Sequence, residues 1–481
     1  MWDELFGYSA DDPLMSEARV QNRVKSLWLQ LGAALLLTGC ALRPEVVHDE
    51  PAAGSAASDC VDPRSCSDAP IEVLFTQNQH GAPDPGCSRP LCKRLVGLIR
   101  GAQRSVDFAI YGVRNQNAVI DALVEAQVRG VRVRGVVDTE GERCDKFSYL
   151  DTGLLWQRLA EGSVTCDGGR GHSYIMHNKF FVIDEAAVWT GSTNISDTEL
   201  GGEYYADAAV LVHSRELAGA YTRELEEMFA GQYHAQKRDD TSHHFGPMSD
   251  GTSLECYFSP SDQTLQKAIL PLIDAATETL DIAMFYFTEA SIADALVAAA
   301  ARGVNVRMVL DAGGADNRYS KHQRLCAAGV PVKIENWGGK AHGKWAVADA
   351  ALPERARVVV GSFNWTAAAN EHNDENTLLI SSPSVAAQFA QEFARQWHDL
   401  PDALVCARVH QESSASSDCG DAADCIKTCR GGSCCDGLDN DYDGRQDGQE
   451  EACACADGLD NDADGYVDKA DFDCQTDPDA N

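Results

Sequence analysis

A chain of 481 residues, 44% apolar and 24% charged, has material for two to four units of about 150 residues each and for a large buried core. Its net charge of −34 argues against a long electrostatic track for a polyanion, while leaving room for a small, locally basic pocket. Eighteen cysteines, eight of them from Cys419 onward, point to disulfides and an oxidising compartment.

Near the N-terminus, Arg19, Arg23 and Lys25 form a basic flank before the apolar run Leu27–Thr38, which is too short to span a bilayer as a helix. The run closes on Leu37-Thr38-Gly39-Cys40, which resembles a bacterial lipobox. That resemblance implies a signal peptide over 1–40, cleaved before Cys40, and lipidation of Cys40. The acidic stretch ahead of Met15 is foreign to such a signal and makes Met15 an alternative start to Met1. Ala41 after the cysteine implies an outer-membrane lipoprotein, periplasmic or surface-exposed, because Asp there favours inner-membrane retention. With Cys40 lipidated, 17 cysteines remain, an odd number. Cys326, in an apolar helical stretch, is the expected buried free thiol.

Residues 41–69, rich in Pro, Ala, Ser and Asp, read as a linker. Two blocks that repeat each other follow. Ser105–Asp138 and Thr279–Asp311 each predict a strand, an amphipathic helix ending at Arg-Gly, and a β-branched strand ending in Asp. A further strand and helix precede each block. Such alternation predicts α/β layers with mostly parallel pairing. The period is that of a duplicated domain, with halves at 70–240 and 250–402 joined by a polar connector around 237–251.

Each half carries the same polar string after its repeat. His177, Lys179 and Asp184 are followed by Gly191-Ser192-Thr193-Asn194; His342, Lys344 and Asp349 are followed by Gly361-Ser362-Phe363-Asn364. On a strand, a His and a Lys two apart share a face. An imidazole beside a fixed cation suits phosphate chemistry: the Lys neutralises non-bridging oxygens, and the His attacks phosphorus or moves a proton. Asn and Ser at the strand-to-turn junction add neutral donors. Asp184 and Asp349 lie on the opposite face, where an ion pair holding the turn is the expected role. Eleven residues separate Asp349 from Gly361 against six between Asp184 and Gly191, so 351–357 reads as a longer hairpin loop.

These paired HxKxxxxD and GSxN strings resemble the HKD motifs of the phospholipase D superfamily over about residues 70–402. The resemblance implies an α/β fold in which two α/β/α sandwich halves pack around one active site. It implies His177 as the nucleophile that forms a phosphohistidine and His342 as the acid, with Lys179, Lys344, Asn194 and Asn364 holding phosphate oxygens beside Ser192 and Ser362. It also implies a Glu after GSxN that orients a histidine through Nδ1. Glu375 fits. In the first half Glu203 stands two residues closer to its GSxN than Glu375 does, and Glu199 is the alternative. No catalytic metal or other cofactor is implied, and two motifs in one chain imply a monomeric active unit.

The tail, 412–481, holds −16 of the net charge and two acidic loops at a period of 21. One carries Asp439, Asp441, Asp443, Asp447 and Glu450; the other carries Asp460, Asp462, Asp464, Asp468 and Asp471. Oxygens at positions 1, 3, 5, 9 and 12 with Gly at 6 suit Ca²⁺. The Cys-rich flanks make the loops similar to thrombospondin-type calcium repeats, with metal and disulfides standing in for a core.

The expected function is an exported phosphodiesterase of the phospholipase D type, with membrane phospholipid as substrate. The alternatives are a secreted endonuclease of the same fold acting on nucleic acid, a transphosphatidylase of the cardiolipin synthase kind, and a calcium-dependent surface binding protein.

Overall fold

The computed structural model describes residues 70–76, 81–141, 143–168, 174–238 and 243–406. Cys40, the 41–69 linker and both acidic loops of the tail lie outside the described residues. Everything described belongs to one unit, Cys60–Asn481.

The first half runs β1 (Ile71–Phe75), α1 (Pro90–Gly101), β2 (Ser105–Ile110), α2 (Asn117–Val128), β3 (Arg132–Val137), β4 (Val164–Cys166), β5 (Phe180–Ile183), β6 (Ala187–Gly191), β7 (Ala208–His213) and α3 (Arg215–Phe229). The second runs β8 (Ser253–Ser259), α4 (Leu270–Ala275), β9 (Thr279–Met284), α5 (Ala290–Ala301), β10 (Asn305–Leu310), β11 (Val332–Ile334), β12 (Lys344–Ala348), β13 (Arg357–Gly361), β14 (Glu375–Ser381) and α6 (Pro383–Asp399). The sheet orders match: β1-β7-β6-β5-β2-β3-β4 in the first half and β8-β14-β13-β12-β9-β10-β11 in the second, with a short edge strand, His244–Phe245, added beside β8. The repeat read from the sequence is thus a repeat of topology.

The expectation of mostly parallel pairing is corrected. Only β2-β3-β4 and β9-β10-β11 pair in parallel; the other neighbours in both sheets are antiparallel. Only a strand joined to its neighbour by a helical crossover runs parallel to it, whereas β5–β6 and β12–β13 are hairpins. The apolar strand runs are buried on both faces as expected: every residue of β2, β5, β6 and β12 is buried. The Arg-Gly helix endings work as stops, because Gly130 and Gly303 take φ of +90° and +97°, which other residues adopt at a cost.

The halves share an aromatic core. Tyr221 of α3 sits edge-on between Phe180 of β5 and Phe258 of β8, at 4.9 and 5.0 Å between ring centres. Phe75 of β1 packs on Phe389 of α6 at 5.0 Å. Edge-to-face pairs of this kind add about 1 kcal/mol each beyond burial and fix one relative placement of the halves.

Three disulfides lie among the described residues: Cys87–Cys92, Cys144–Cys166 and Cys326–Cys406. Cys326 is therefore bonded, not free. Cys256, in the middle of β8 and fully buried, takes part in none of these three disulfides. No described helix is long and apolar enough to cross a membrane.

Candidate active site

His177 and His342 each sit on an extended segment that feeds a central strand, β5 or β12, and each is anchored from behind by the Asp that ends a repeat block. Asp138 accepts from the backbone N–H of Met176 at 2.8 Å, and Asp311 accepts from that of Ala341 at 3.0 Å. Both imidazoles are buried, as are Lys179 and Lys344. The two lysines fold back onto the histidine segments: Lys179 Nζ donates to the His177 carbonyl at 3.1 Å, and Lys344 Nζ to the His342 carbonyl at 3.0 Å. Lys344 Nζ also lies 2.8 Å from His342 Nε2. Aromatic rings wall the pair in, Tyr111 against His177 and Phe285 against His342.

The orienting carboxylates cross between the halves. His177 Nδ1 pairs with Glu375 of the second half, at 2.9 and 3.0 Å to its two oxygens. His342 Nδ1 pairs with Asp207 of the first half at 3.0 Å, with Glu199 at 3.4 Å. Each imidazole is thereby held in one tautomer, Nδ1–H to the carboxylate, leaving Nε2 as the atom that meets chemistry. Backbone contacts lock the same seam: His177 N–H donates to the Asp374 carbonyl, and Lys179 N–H to Asn376 Oδ1, at 2.9 and 3.0 Å. The two HxK segments thus belong to one site.

Glu203 is corrected as the orienting carboxylate of the first half. It accepts from the N–H of Leu91 at 3.3 Å at the start of α1, while Asp207 takes the place at His342. The sequence carried the signal. Asp207 directly precedes β7 as Glu375 opens β14, the strands that occupy matching places in the two sheets. Counting from GSxN failed because a wide helical turn, Asp197–Gly201, lengthens the first-half loop. Glu199, on that turn, accepts from Asn194 Nδ2 at 2.8 Å and so links Asn194 to His342.

Ser192 and Ser362 also take a different place from the one expected beside substrate. Their hydroxyls donate to Asp207 at 2.6 Å and Glu375 at 2.5 Å, bracing the carboxylates that brace the histidines. The glycine before each serine is required by close approach: a Cβ on Gly191 or Gly361 would lie 2.1 Å from a carbonyl oxygen of the neighbouring strand. Asn364 is buried, its Oδ1 accepting from the Tyr286 N–H at 3.4 Å.

Asp184 and Asp349 hold their turns by hydrogen bonds rather than by ion pairs. Asp184 accepts from the backbone N–H groups of Gln103, Arg104 and Ser105, and Asp349 from those of Thr277, Glu278 and Thr279. Both adopt a left-handed φ, 55° and 51°.

Burial pushes the Asp207 carboxyl up to about 6, opposed by Lys344, the Ser192 hydrogen bond and Lys179. Glu199, Asp207 and His342 place three metal-type ligand atoms within 4.8 Å of one another. With Lys344 and Lys179 acting on the same carboxylate, this cluster is already compensated by protein cations and is a poor setting for another. Behind His177, a second buried network ties the connector to the seam. Lys237 Nζ bridges Asp374 at 2.9 Å and Glu224 at 2.5 Å, and His234 Nδ1 lies 2.9 Å from Asp374. Burial alone would raise Asp374, but Lys237 and His234 hold it below the usual carboxylate range.

The family model described as cardiolipin synthase, PLD-like domain, matches residues 95–229 and 269–397, more than half of the chain. A mitochondrial cardiolipin hydrolase from Chlamydomonas reinhardtii is 32% identical over 142 residues, 30% of this chain and 61% of that one. A phospholipase D from Rickettsia conorii is 35% identical over 138 residues, 29% of this chain and 66% of that one. The chain therefore spans less than two thirds of the length of these relatives. The crystal structure of a phosphatidylserine synthase from Haemophilus influenzae Rd KW20 covers 70% of this chain and 90% of its own, with a TM-score of 0.51 at 15% identity, a likeness of fold. On the family match and the doubled site together, the chain belongs to the phospholipase D-like family of the cardiolipin synthase type.

Proposed function

We propose that the protein hydrolyses phospholipid head-group diesters through a phosphohistidine. The observation that carries this reading is the crossed pairing of His177 with Glu375 and His342 with Asp207, which prepares two imidazoles in one buried, lysine-lined site. Nε2 of His177 attacks phosphorus, and the P–O bond to the head-group alcohol breaks as His342, entering the step as the imidazolium, gives its Nε2 proton to the leaving oxygen. His342 then takes a proton from water, and the hydroxide cleaves the P–N bond. The products are the free alcohol and a phosphate monoester on the lipid, with both imidazoles restored. Lys179 and Lys344 offset the charge that builds on the phosphoryl oxygens. The likeness to proteins named phospholipase D and cardiolipin hydrolase supports a lipid diester as substrate.

Head-group release from mixed phospholipid vesicles, run beside single-stranded and duplex DNA, tests the reading. Release is expected to fall by at least about 10³-fold in His177→Ala and in His342→Ala, since groups acting as a unit fail together. DNA cleavage without lipid cleavage would assign the same residues to a nuclease, and substantial turnover in either variant would refute a shared two-histidine site.

The remaining proposals concern the ends of the chain. Lipidation at Cys40 would hold the catalytic unit at the outer membrane beside its substrate, supported by the basic flank and apolar run before Cys40. Ca²⁺ at the two acidic loops would order the tail, supported by their two in-register ligand sets. Membrane fractionation and calcium titration test them.

A further inference from the structure

Four large apolar side chains are well exposed among the described residues: Val128 (83%), Tyr319 (55%), Leu150 (53%) and Tyr174 (37%). Single exposed apolar residues are ordinary. The placement of three of these is not. Leu150 lies on the loop that leaves the C-terminal end of β3, and Tyr319 on the loop that leaves the C-terminal end of β10, strands in matching positions of the two sheets. The loops are thus counterparts across the site, at the strand ends where open α/β sheets bind their ligands.

Both loops connect to the candidate site through neighbouring residues. Beside Leu150, the Tyr149 hydroxyl stands 3.4 Å from Asn194 Nδ2, and its ring packs on Tyr111, which packs on His177. Two residues past Tyr319, the Lys321 N–H donates to the Phe287 carbonyl at 2.9 Å, on the segment whose Phe285 meets His342. Tyr174 lies three residues before His177, with its ring 4.5 Å from that of His372. The histidines are buried, and Leu150, Tyr174 and Tyr319 are exposed on segments that lead to them.

The same two loops carry exposed arginines, Arg143 and Arg318. Arg318 lies over the Tyr319 ring at 4.6 Å, an apolar face and a cation presented together. Such pairs suit the level of a bilayer where head-group phosphates meet acyl chains. Glu140, Asp145 and Asp151 on the first loop and Asp316 on the second, set against Lys146 and Lys321, leave the loops with no net positive charge, so the apolar side chains are the principal contact.

We infer that Leu150, Tyr174 and Tyr319 form a docking rim that seats the mouth of the active site on a phospholipid bilayer. This rests on the lipid reading of the site. It explains how a chain with a net charge of −34 would engage a lipid surface: through a local apolar rim with two arginines, not through its overall field. Val128, at the far end of α2 from this mouth, takes no part.

The test uses the full chain, with Leu150→Ser/Tyr319→Ser as the rim variant and Val128→Ser as the control. Binding is read by co-sedimentation with phosphatidylcholine–cardiolipin vesicles in a His177→Ala background, and turnover separately on those vesicles and on bis(p-nitrophenyl) phosphate. The rim variant is expected to lose about tenfold in vesicle binding and vesicle turnover, keep its turnover of the soluble diester, and differ from the control in both. Undiminished vesicle binding, an equal loss in Val128→Ser, or a parallel loss on the soluble diester would overturn the rim. Should no phospholipid be cleaved by the unaltered protein, the lipid reading of the site fails on its own, and the binding arm still decides the rim. Loss of duplex DNA binding in the rim variant with vesicle binding intact would overturn it in favour of a nucleic-acid surface.

Discussion

Burial lifts the Asp207 carboxyl from its ordinary 3.8 to about 6, against the pull of Lys344, the Ser192 hydroxyl and Lys179. The ionised form is the one that accepts Nδ1–H from His342, so activity is expected to fall as pH drops through about 6. The stability term runs the other way. A carboxyl whose folded value is raised contributes stability below its unfolded value, and that contribution is lost as pH rises through about 6. Asp207→Asn is therefore expected to lose at least about 10²-fold in kcat and the acid limb near pH 6, without a lower Tm at pH 8. A pH–rate profile and a melting curve on one preparation check both, and an unchanged acid limb would move that titration to another group. Glu199 has no carboxylate counterpart: the residue equally far past Asn364 is Ala369. His342 thus faces two acids where His177 faces Glu375, an asymmetry between the halves that the matching motifs conceal.

The turns that carry Asp184 and Asp349 explain why the motif ends in Asp. Each carboxylate gathers three consecutive backbone N–H groups where the chain enters β2 or β9, strands that pair directly with β5 and β12. Burial would raise Asp349, but the amides of Thr279, Glu278 and Thr277 together with the Thr277 hydroxyl hold it below the usual range, so its stabilisation is lost as pH falls through that lowered value. Asp349→Ala leaves these donors without an acceptor and is expected to cost about 3 kcal/mol. The fraction that remains folded should keep its kcat and pH profile, and a changed profile would mean that Asp349 acts on the chemistry. At this scale the sequence was legible where pattern is local. The apolar runs became buried strands and the Arg-Gly steps became helix stops, because burial and a left-handed turn leave a residue-by-residue trace. Pairing direction left a weaker trace. The order β2-β5-β6-β7 rests on contacts between distant residues, such as Ala109 with Phe180, and no local run announces them.

Across the whole molecule, charge is partitioned: the tail holds −16 of the −34, and Lys179 and Lys344 lie buried in the seam between the halves. If the tail loops hold Ca²⁺, the full chain should bind one ion per loop, lose them stepwise in Asp439→Asn and Asp460→Asn, and keep its turnover of a soluble diester in EDTA. If Cys40 anchors the chain, Cys40→Ala should move it from the membrane fraction to the soluble one. Calorimetry and fractionation decide these, and an immediate loss of turnover in EDTA would expose a catalytic metal. The seam itself is held by Lys237 of the connector, gripping Asp374 next to Glu375, so a segment that reads as a linker fixes the neighbourhood of His177.

The sequence by itself determined the duplication and both HxKxxxxD strings, because each is a spacing along one strand or turn. Only the tertiary structure decided which acid serves which histidine, that Asp207 and not Glu203 faces His342, that Ser192 and Ser362 brace carboxylates, and that Cys326 is bonded to Cys406. Those pairings join residues 13 to 198 apart; the two that serve His177 and His342 cross between the halves and form only when two sheets of equal topology close on one another around a shared core.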